Sequence, residues 1–220
     1  MFDHLAQHPI IPVIAVERLQ DAVPLARALV EGGLSSLEIT LRTSDALAAI
    51  EAICTEVPQA TVGAGTLLTA AMLESAERAG ASYFVSPGAT ESLLAAASGR
   101  LFLPGVSSPS DMMRAADAGF FVQKFFPAQA LGGADFLRSI SAPLPLLRFC
   151  ATGGVNDKNL AQYFAAPNVI AVGGSWMVPA SLVQAGRWQD ITDLARRATA
   201  MSAALGFGPN GSTEKSKDSQ

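Results

Sequence analysis

The sequence is short of the residues from which many catalytic centres are made. It has two histidines, His4 and His8, both within the first ten residues. A His-ligated metal site or a Ser-His-Asp triad deep in the chain therefore has no histidine to draw on, and no metal is expected. The two cysteines, Cys54 and Cys150, stand far apart in apolar surroundings without a CxxC. They read as free, buried thiols in a reducing cytoplasm. Lysine is scarce: Lys124 and Lys158 lie in the body of the chain, Lys215 and Lys217 in its polar end. Charged residues make up 15% of the chain and sum to −4, so the basic footprint of a nucleic-acid binder is missing. No apolar run approaches the ~18 residues that read as a membrane span. No basic N-terminal region leads into an apolar stretch, so no secretory leader is expected. Neither GxGxxG nor a Walker A spacing occurs, which weakens nucleotide readings.

What is present is apolar. Half of the 220 residues are hydrophobic, mean hydropathy is +0.31, and 19 glycines are spread along the chain. Short β-branched or apolar runs alternate with Ala/Leu-rich helical stretches. Strands are expected at 10–16, 37–41, 61–65, 83–86, 101–104, 120–125, 146–151 and 169–172. Helices are expected at about 19–31, 44–56, 70–79, 91–97, 109–118, 134–139 and 156–164, with a helical remainder to about 205. Thr43 or Ser44, Thr69, Thr90, Ser108 and Asn156 are placed to cap helices. Strands separated by single helices pair in parallel. Eight such units of ~27 residues match a (β/α)8 TIM barrel, with an open doubly wound sheet as the competing arrangement. One domain is expected over 1–205. The Gly/Pro/Ser/Lys-rich stretch 206–220 reads as a disordered tail.

Three charges fall inside apolar strand runs: Glu38, Lys124 and Arg148. A buried ion is costly unless paired, and barrel chemistry gathers at the C-terminal ends of strands. Lys124, in Phe-Val-Gln-Lys-Phe-Phe-Pro, has neighbours that favour a neutral amine able to attack a carbonyl; a structural pair with a carboxylate and a phosphate contact remain open. Glu38, in Ser-Leu-Glu-Ile-Thr-Leu-Arg, can shuttle protons beside such a lysine, or serve as counter-ion to Lys124 or Arg42. Arg42 suits a substrate carboxylate or a helix-terminal salt bridge. Thr66 can hydrogen-bond the same carboxylate or cap a helix. Arg148 either faces Glu38 or points outward. Two late glycine pairs, Gly153-Gly154 and Gly173-Gly174-Ser175, follow the seventh and eighth strands, where barrels often bind phosphate through backbone N–H groups.

Six segments occur in order: Glu-Ile-Thr-Leu-Arg-Thr (38–43), Gly-Ala-Gly-Thr (63–66), Ser-Pro-Gly (86–88), Lys-Phe-Phe-Pro-Ala (124–128), Cys-Ala-Thr-Gly-Gly-Val (150–155) and Gly-Gly-Ser-Trp (173–176). Together they resemble the 2-keto-3-deoxy-6-phosphogluconate (KDPG)/4-hydroxy-2-oxoglutarate (KHG) aldolase family, over roughly 9–205. The resemblance implies a class I aldolase on a (β/α)8 barrel, a homotrimer needing no cofactor. It implies a Schiff-base lysine at Lys124 and a general acid/base at Glu38. Arg42 and Thr66 would hold the pyruvyl carboxylate, Pro87 and Phe126 would wall the pocket, and Gly153, Gly154, Gly174 and Ser175 would hold phosphate. The implied partners are a phosphorylated keto acid, pyruvate and glyceraldehyde 3-phosphate, with no nucleic acid or membrane. Ala151 departs from the family, which often has proline there.

Overall fold

The computed structural model describes residues 1–208. A short helix α1 (Phe2–Gln7) precedes β1 (Ile10–Ile14), α2 (Leu19–Glu31), β2 (Ser36–Thr40), α3 (Ala46–Glu56), β3 (Thr61–Gly65), α4 (Ala70–Arg78), β4 (Tyr83–Val85) and α5 (Glu91–Ala96). Two strand pieces follow, β5 (Phe102–Leu103) and β6 (Gly105–Val106), then α6 (Pro109–Asp117), β7 (Val122–Phe125), a 3-10 turn (Gln129–Leu131), α7 (Gly133–Ile140) and β8 (Arg148–Thr152). The order ends with α8 (Leu160–Phe164), β9 (Val169–Gly174), α9 (Ala180–Gln184) and α10 (Trp188–Ala204).

The strands pair in parallel in the order β5-β4-β3-β2-β1-β9-β8-β7-β6. The two ends of that order are consecutive in the chain and separated by Pro104 alone. Residues 102–106 therefore act as one strand, bonded to β4 on one side and β7 on the other, and the sheet closes into the (β/α)8 barrel. Proline has no N–H for the ladder, which accounts for the break. Its carbonyl still accepts from Lys124 N at 2.8 Å, so the seam is held there.

Helix starts follow the expected side-chain chemistry in three places. Thr69, Thr90 and Ser108 accept from the amides of Met72, Leu93 and Asp111, and Ser108 forms a reciprocal capping box with Asp111. Two expectations are corrected. Neither Thr43 nor Ser44 caps α3; Asp45 precedes it, and its carboxylate instead accepts from Leu19 N at 3.0 Å, tying α3 to the start of α2. Asn156 is spent on a turn, accepting from Lys158 N, and α8 begins only after Asn159.

Alternation along the strands sorts the core into two parts. Outward residues such as Leu37, Ile39, Val62, Phe84, Phe125 and Phe149 pack under the helices. Inward residues Ile11, Tyr83, Val85, Leu103, Cys150 and Ile170 fill the barrel, joined by Leu5 of α1, which is 1% exposed. Helix α1, absent from the sequence expectation, thus stoppers the barrel floor. The thiols differ: Cys150 is buried as expected, whereas Cys54 is only half-buried, and both are free. Phe207, within the expected tail, stacks on Phe164 with ring centroids 4.1 Å apart; the rest of that tail, 209–220, lies outside the described residues. Among the described residues no helix is long and apolar enough to cross a membrane.

The floor carries a polar cluster. His4 Nε2 lies 2.9 Å from Ser36 Oγ, which donates to the Tyr83 hydroxyl at 3.1 Å. Burial, then the neighbouring His8 and N-terminal ammonium, lowers the His4 pKa from 6.5 to about 4. Between those values the unfolded chain binds more protons than the folded one, so stability declines as pH falls from 6.5 toward 4. Thermal scans across that window should show a falling Tm, and His4→Gln should flatten the fall. An unchanged slope would remove His4 from the acid response.

Candidate active site

Glu38 and Lys124 stand on β2 and β7, which are four steps apart around the barrel in either direction. Their side chains meet across its interior: Lys124 Nζ donates to Glu38 Oε1 at 3.0 Å, with both side chains almost fully buried, 6% and 4% exposed. Glu38 occupies the middle of five consecutive buried residues in β2, and Lys124 is held in register with Gly105 and Cys150 on its flanking strands. The apolar strands therefore do not exclude these charges; the barrel's curvature brings them together as one ion pair.

The neighbours of the pair restrict it. Lys124 Nζ lies 5.4 Å from the Phe126 ring centre. Desolvation pushes the Cys150 thiol up to about 12, so it remains a protonated, weakly polar wall beside the amine. Gly65, at the end of β3, leaves the space that the Glu38 carboxyl fills; a Cβ there would overlap Glu38 Oε1. Gly65→Ala must therefore displace the carboxylate. It should reduce turnover by about a hundredfold, the scale of a misplacement near 1 Å. Steady-state turnover of the folded variant within a factor of a few of the parent would refute that reading of Gly65.

The remaining expected residues gather at the C-terminal end of the barrel. Thr40 pairs with Gly65 across β2 and β3, and Leu41 N donates to Gly65 O at 2.8 Å, so the segments carrying Arg42 and Thr66 leave the sheet side by side. Arg42 Nε donates to Thr40 Oγ1 at 3.0 Å, and the residue is otherwise exposed. Thr66 has φ +61°, a left-handed conformation that is unusual for a β-branched residue and often associated with functional sites. Pro87 and Phe126 line a cavity of about 320 Å³ on the other flank. Arg42 and Ser175 share one of about 670 Å³.

The glycine loops are adjacent because Thr152 of β8 pairs with Gly173 of β9. Gly153 and Gly154 have φ +99° and +79°, conformations that favour glycine, and a Cβ on Gly154 would press on Gln129 Cβ at 2.5 Å. Their loop is tied to the segment after Lys124: Ala128 N donates to Thr152 O at 2.7 Å and Gln129 N to Gly153 O at 2.9 Å. Asn159 Nδ2 donates to Gly154 O at 2.9 Å, and the Tyr163 hydroxyl to Gln129 Oε1 at 3.0 Å. Nothing in the sequence marks out Gln129, Asn159 and Tyr163, since their importance comes only from this loop contact. Among the described residues the amides of Gly154, Val155, Ser175 and Trp176 donate to no protein acceptor.

Arg148 does not join the pair. It begins β8, and its Nη1 donates to the carbonyls of Pro145 and Leu147 at 2.8 and 2.9 Å. Among the described residues no group of three His, Cys, Asp or Glu is arranged to hold a metal ion.

A family model described as KDPG and KHG aldolase matches residues 2–194. The 2-dehydro-3-deoxy-phosphogluconate aldolase of Pseudoalteromonas atlantica is 46% identical over 205 residues, spanning 92% of this chain and 95% of its own. The crystal structure of a KDPG aldolase from Legionella pneumophila, with pyruvate captured at low pH as a covalent carbinolamine intermediate, has a TM-score of 0.87 and 42% identity, covering 89% of this chain and 96% of that one. The 2-keto-3-deoxy-6-phosphogluconate aldolase of Zymomonas mobilis ZM4, with 3-phosphoglycerate, gives 0.84 at 44% identity, covering 90% of this chain and 95% of that one. With a shared barrel, a family model spanning most of its length and close identity to named relatives, the chain belongs to the KDPG and KHG aldolase family.

Proposed function

We propose that this chain is a class I aldolase that reversibly cleaves 2-dehydro-3-deoxy-6-phosphogluconate to pyruvate and D-glyceraldehyde 3-phosphate through a Schiff base on Lys124. The observation that carries the proposal is the buried amine–carboxylate pair, Lys124 Nζ to Glu38 Oε1 at 3.0 Å. Transfer of one proton across that contact leaves a neutral amine beside a carboxylic acid. The amine adds to the C2 carbonyl, and a proton shift gives a carbinolamine. Glu38 protonates its hydroxyl, water departs and a protonated imine remains. The Glu38 carboxylate then takes the C4 hydroxyl proton. The C3–C4 bond breaks, its electron pair passes into the imine, and the aldehyde leaves an enamine of pyruvate. Glu38 returns the proton to C3, and water hydrolyses the imine to release pyruvate and Lys124.

Arg42 and Thr66 hold the pyruvyl carboxylate, so that the imine and the scissile bond stay aligned. Pro87 and Phe126 wall the carbon chain. Gly153, Gly154, Gly174 and Ser175 form the phosphate cradle, supported by the amides at 154, 155, 175 and 176 that have no protein acceptor. A second substrate, 4-hydroxy-2-oxoglutarate, fits the same pyruvyl end, and the family model spans both activities. The C4 epimer, 2-dehydro-3-deoxy-6-phosphogalactonate, makes the same contacts at both ends. The electron sink is the imine itself, so activity should survive EDTA. A cytoplasmic homotrimer is part of the proposal. Leu101 and Phe121, 44% and 47% exposed beside one surface cavity, supply apolar area for subunit contact, and light scattering should give three times the 22.8 kDa chain mass.

Borohydride reduction in the presence of pyruvate tests the chemistry. Peptide mass mapping should find the reduced adduct on Lys124. No adduct, or an adduct on Lys158, overturns the proposal.

A further inference from the structure

The cavity that Arg42 shares with Ser175 has a second guanidinium on its wall, that of Arg18, the residue immediately before α2. We infer that Arg18 is a specificity-determining residue that recognises the phosphorylated end of the substrate. This rests on the aldolase reading above and adds to it the cation that the glycine loops lack.

Arg18 is held rather than free. Its Nε donates to Asp21 Oδ2 at 2.7 Å and its Nη2 to Asp21 Oδ1 at 3.1 Å, a bidentate contact with a carboxylate only 9% exposed. Nη2 also reaches the Gln184 carbonyl at 3.3 Å, at the end of α9, the helix that follows the Ser175 loop. One edge of the planar group is thus fixed by α2 and α9. Among the described residues Nη1 has no acceptor, leaving two N–H donors for an anion.

The chemistry of the loops calls for such a group. Backbone amides at Ser175 and Trp176 present dipoles to a phosphate but no net charge. A guanidinium on the same cavity adds charge-assisted hydrogen bonds. Lys158 follows the Gly153–Gly154 loop but does not line this cavity. Glu17 and Asp21 also line it, so its two arginines and two carboxylates balance in formal charge; the Asp21 oxygens are occupied by Arg18 Nε and Nη2, which leaves Nη1 to face an anion. Because the pyruvyl carboxylate is assigned to Arg42, Arg18 is the cation left for the distal end. Fixing it in advance lowers the ordering cost that a loose surface arginine would incur on binding.

The test separates the two ends of the substrate. Arg18→Gln keeps an amide able to bond Asp21 but removes the charge. KM for 2-dehydro-3-deoxy-6-phosphogluconate should rise about tenfold, with kcat within about twofold, as for loss of a charged hydrogen bond. The KM for pyruvate in exchange of its methyl protons with D₂O, which uses the pyruvyl end alone, should not move. Inorganic phosphate should inhibit the parent competitively and the variant far less, and Arg18→Lys should recover part of the lost affinity. If both KM values rise together, or neither rises, Arg18 only braces α2 against α9 and the inference falls. Should Arg18→Gln not fold, Asp21→Asn retains the guanidinium and loosens it. A phosphorylated-substrate KM unchanged in that variant likewise overturns the inference. Borohydride trapping of pyruvate on Lys124 in each variant reports separately on the Schiff-base reading: its failure there and in the parent condemns that reading, not the role of Arg18 alone.

Discussion

Lys124→Met should abolish carbon–carbon cleavage and the borohydride-trapped pyruvate adduct together, and should also yield a less stable protein. The first effect follows from the loss of the amine that lies 3.0 Å from Glu38 in the barrel. Methionine has no nucleophile with which to form an imine, so residual cleavage should be indistinguishable from the uncatalysed rate. The second follows from burial. Glu38, 3% exposed, loses the cation 3.0 Å away and must remain an unpaired ion or take up a proton. Breaking such a pair from one side costs about 3–5 kcal/mol. Adding Glu38→Gln to the same chain removes the stranded charge, so Lys124→Met/Glu38→Gln should recover much of the lost Tm while remaining inactive. Cleavage surviving in Lys124→Met would end the Schiff-base assignment. A double variant no more stable than the single would mean that the pair is not energetically closed as the distances imply.

Glu38→Gln alone should lower kcat by about 10²–10⁴-fold, the usual range for loss of a general acid–base group. Its effect on pyruvate binding should be much smaller, because the carboxylate contacts are those proposed for Arg42 and Thr66. The amide oxygen introduced by Glu38→Gln can still accept from Lys124 Nζ, so the amine stays in place while its proton partner is lost. Borohydride trapping should proceed, but slowly, since imine formation also uses that proton. Isotope exchange at the pyruvate methyl group, monitored by NMR, isolates protonation of the enamine and should fall in parallel with kcat. Exchange at the parental rate would take Glu38 out of the proton path.

Those two residues are legible in the sequence because they violate its pattern. A lysine and a glutamate inside otherwise apolar strands demand a partner, and each is the other's. Arg148 breaks the pattern in the same way, but its position at the very start of β8 lets it reach loop carbonyls instead, a distinction no alternation rule contains. The helix at 19–31 and the strand at 61–65 are readable to the residue, because glycines close both the helix and the strand. Helix α1 is not readable. Phe-Asp-His-Leu-Ala-Gln is short and polar, and its order depends on Leu5 entering the barrel floor, a contact with strands far along the chain. Arg18 escapes the sequence for a related reason. There it looks like one charge before a helix; only the return of α9 puts a carbonyl and a cavity beside it.

The stoppered floor has a kinetic corollary. Leu5 packs among the inward residues at one end, and under the proposed mechanism substrate, water and both products pass through the other, where the strands' C-terminal ends lie. The aldehyde blocks the hydrolytic water until it has gone, and pyruvate, still joined to the lysine, leaves last. Product inhibition then has a fixed signature: pyruvate competes with the keto acid for the empty enzyme, whereas glyceraldehyde 3-phosphate meets only the enamine form and drives it backward. The covalent bond to the lysine sets that order; the small N-terminal helix, with Leu5 packed among the inward side chains, closes the far end of the barrel to water.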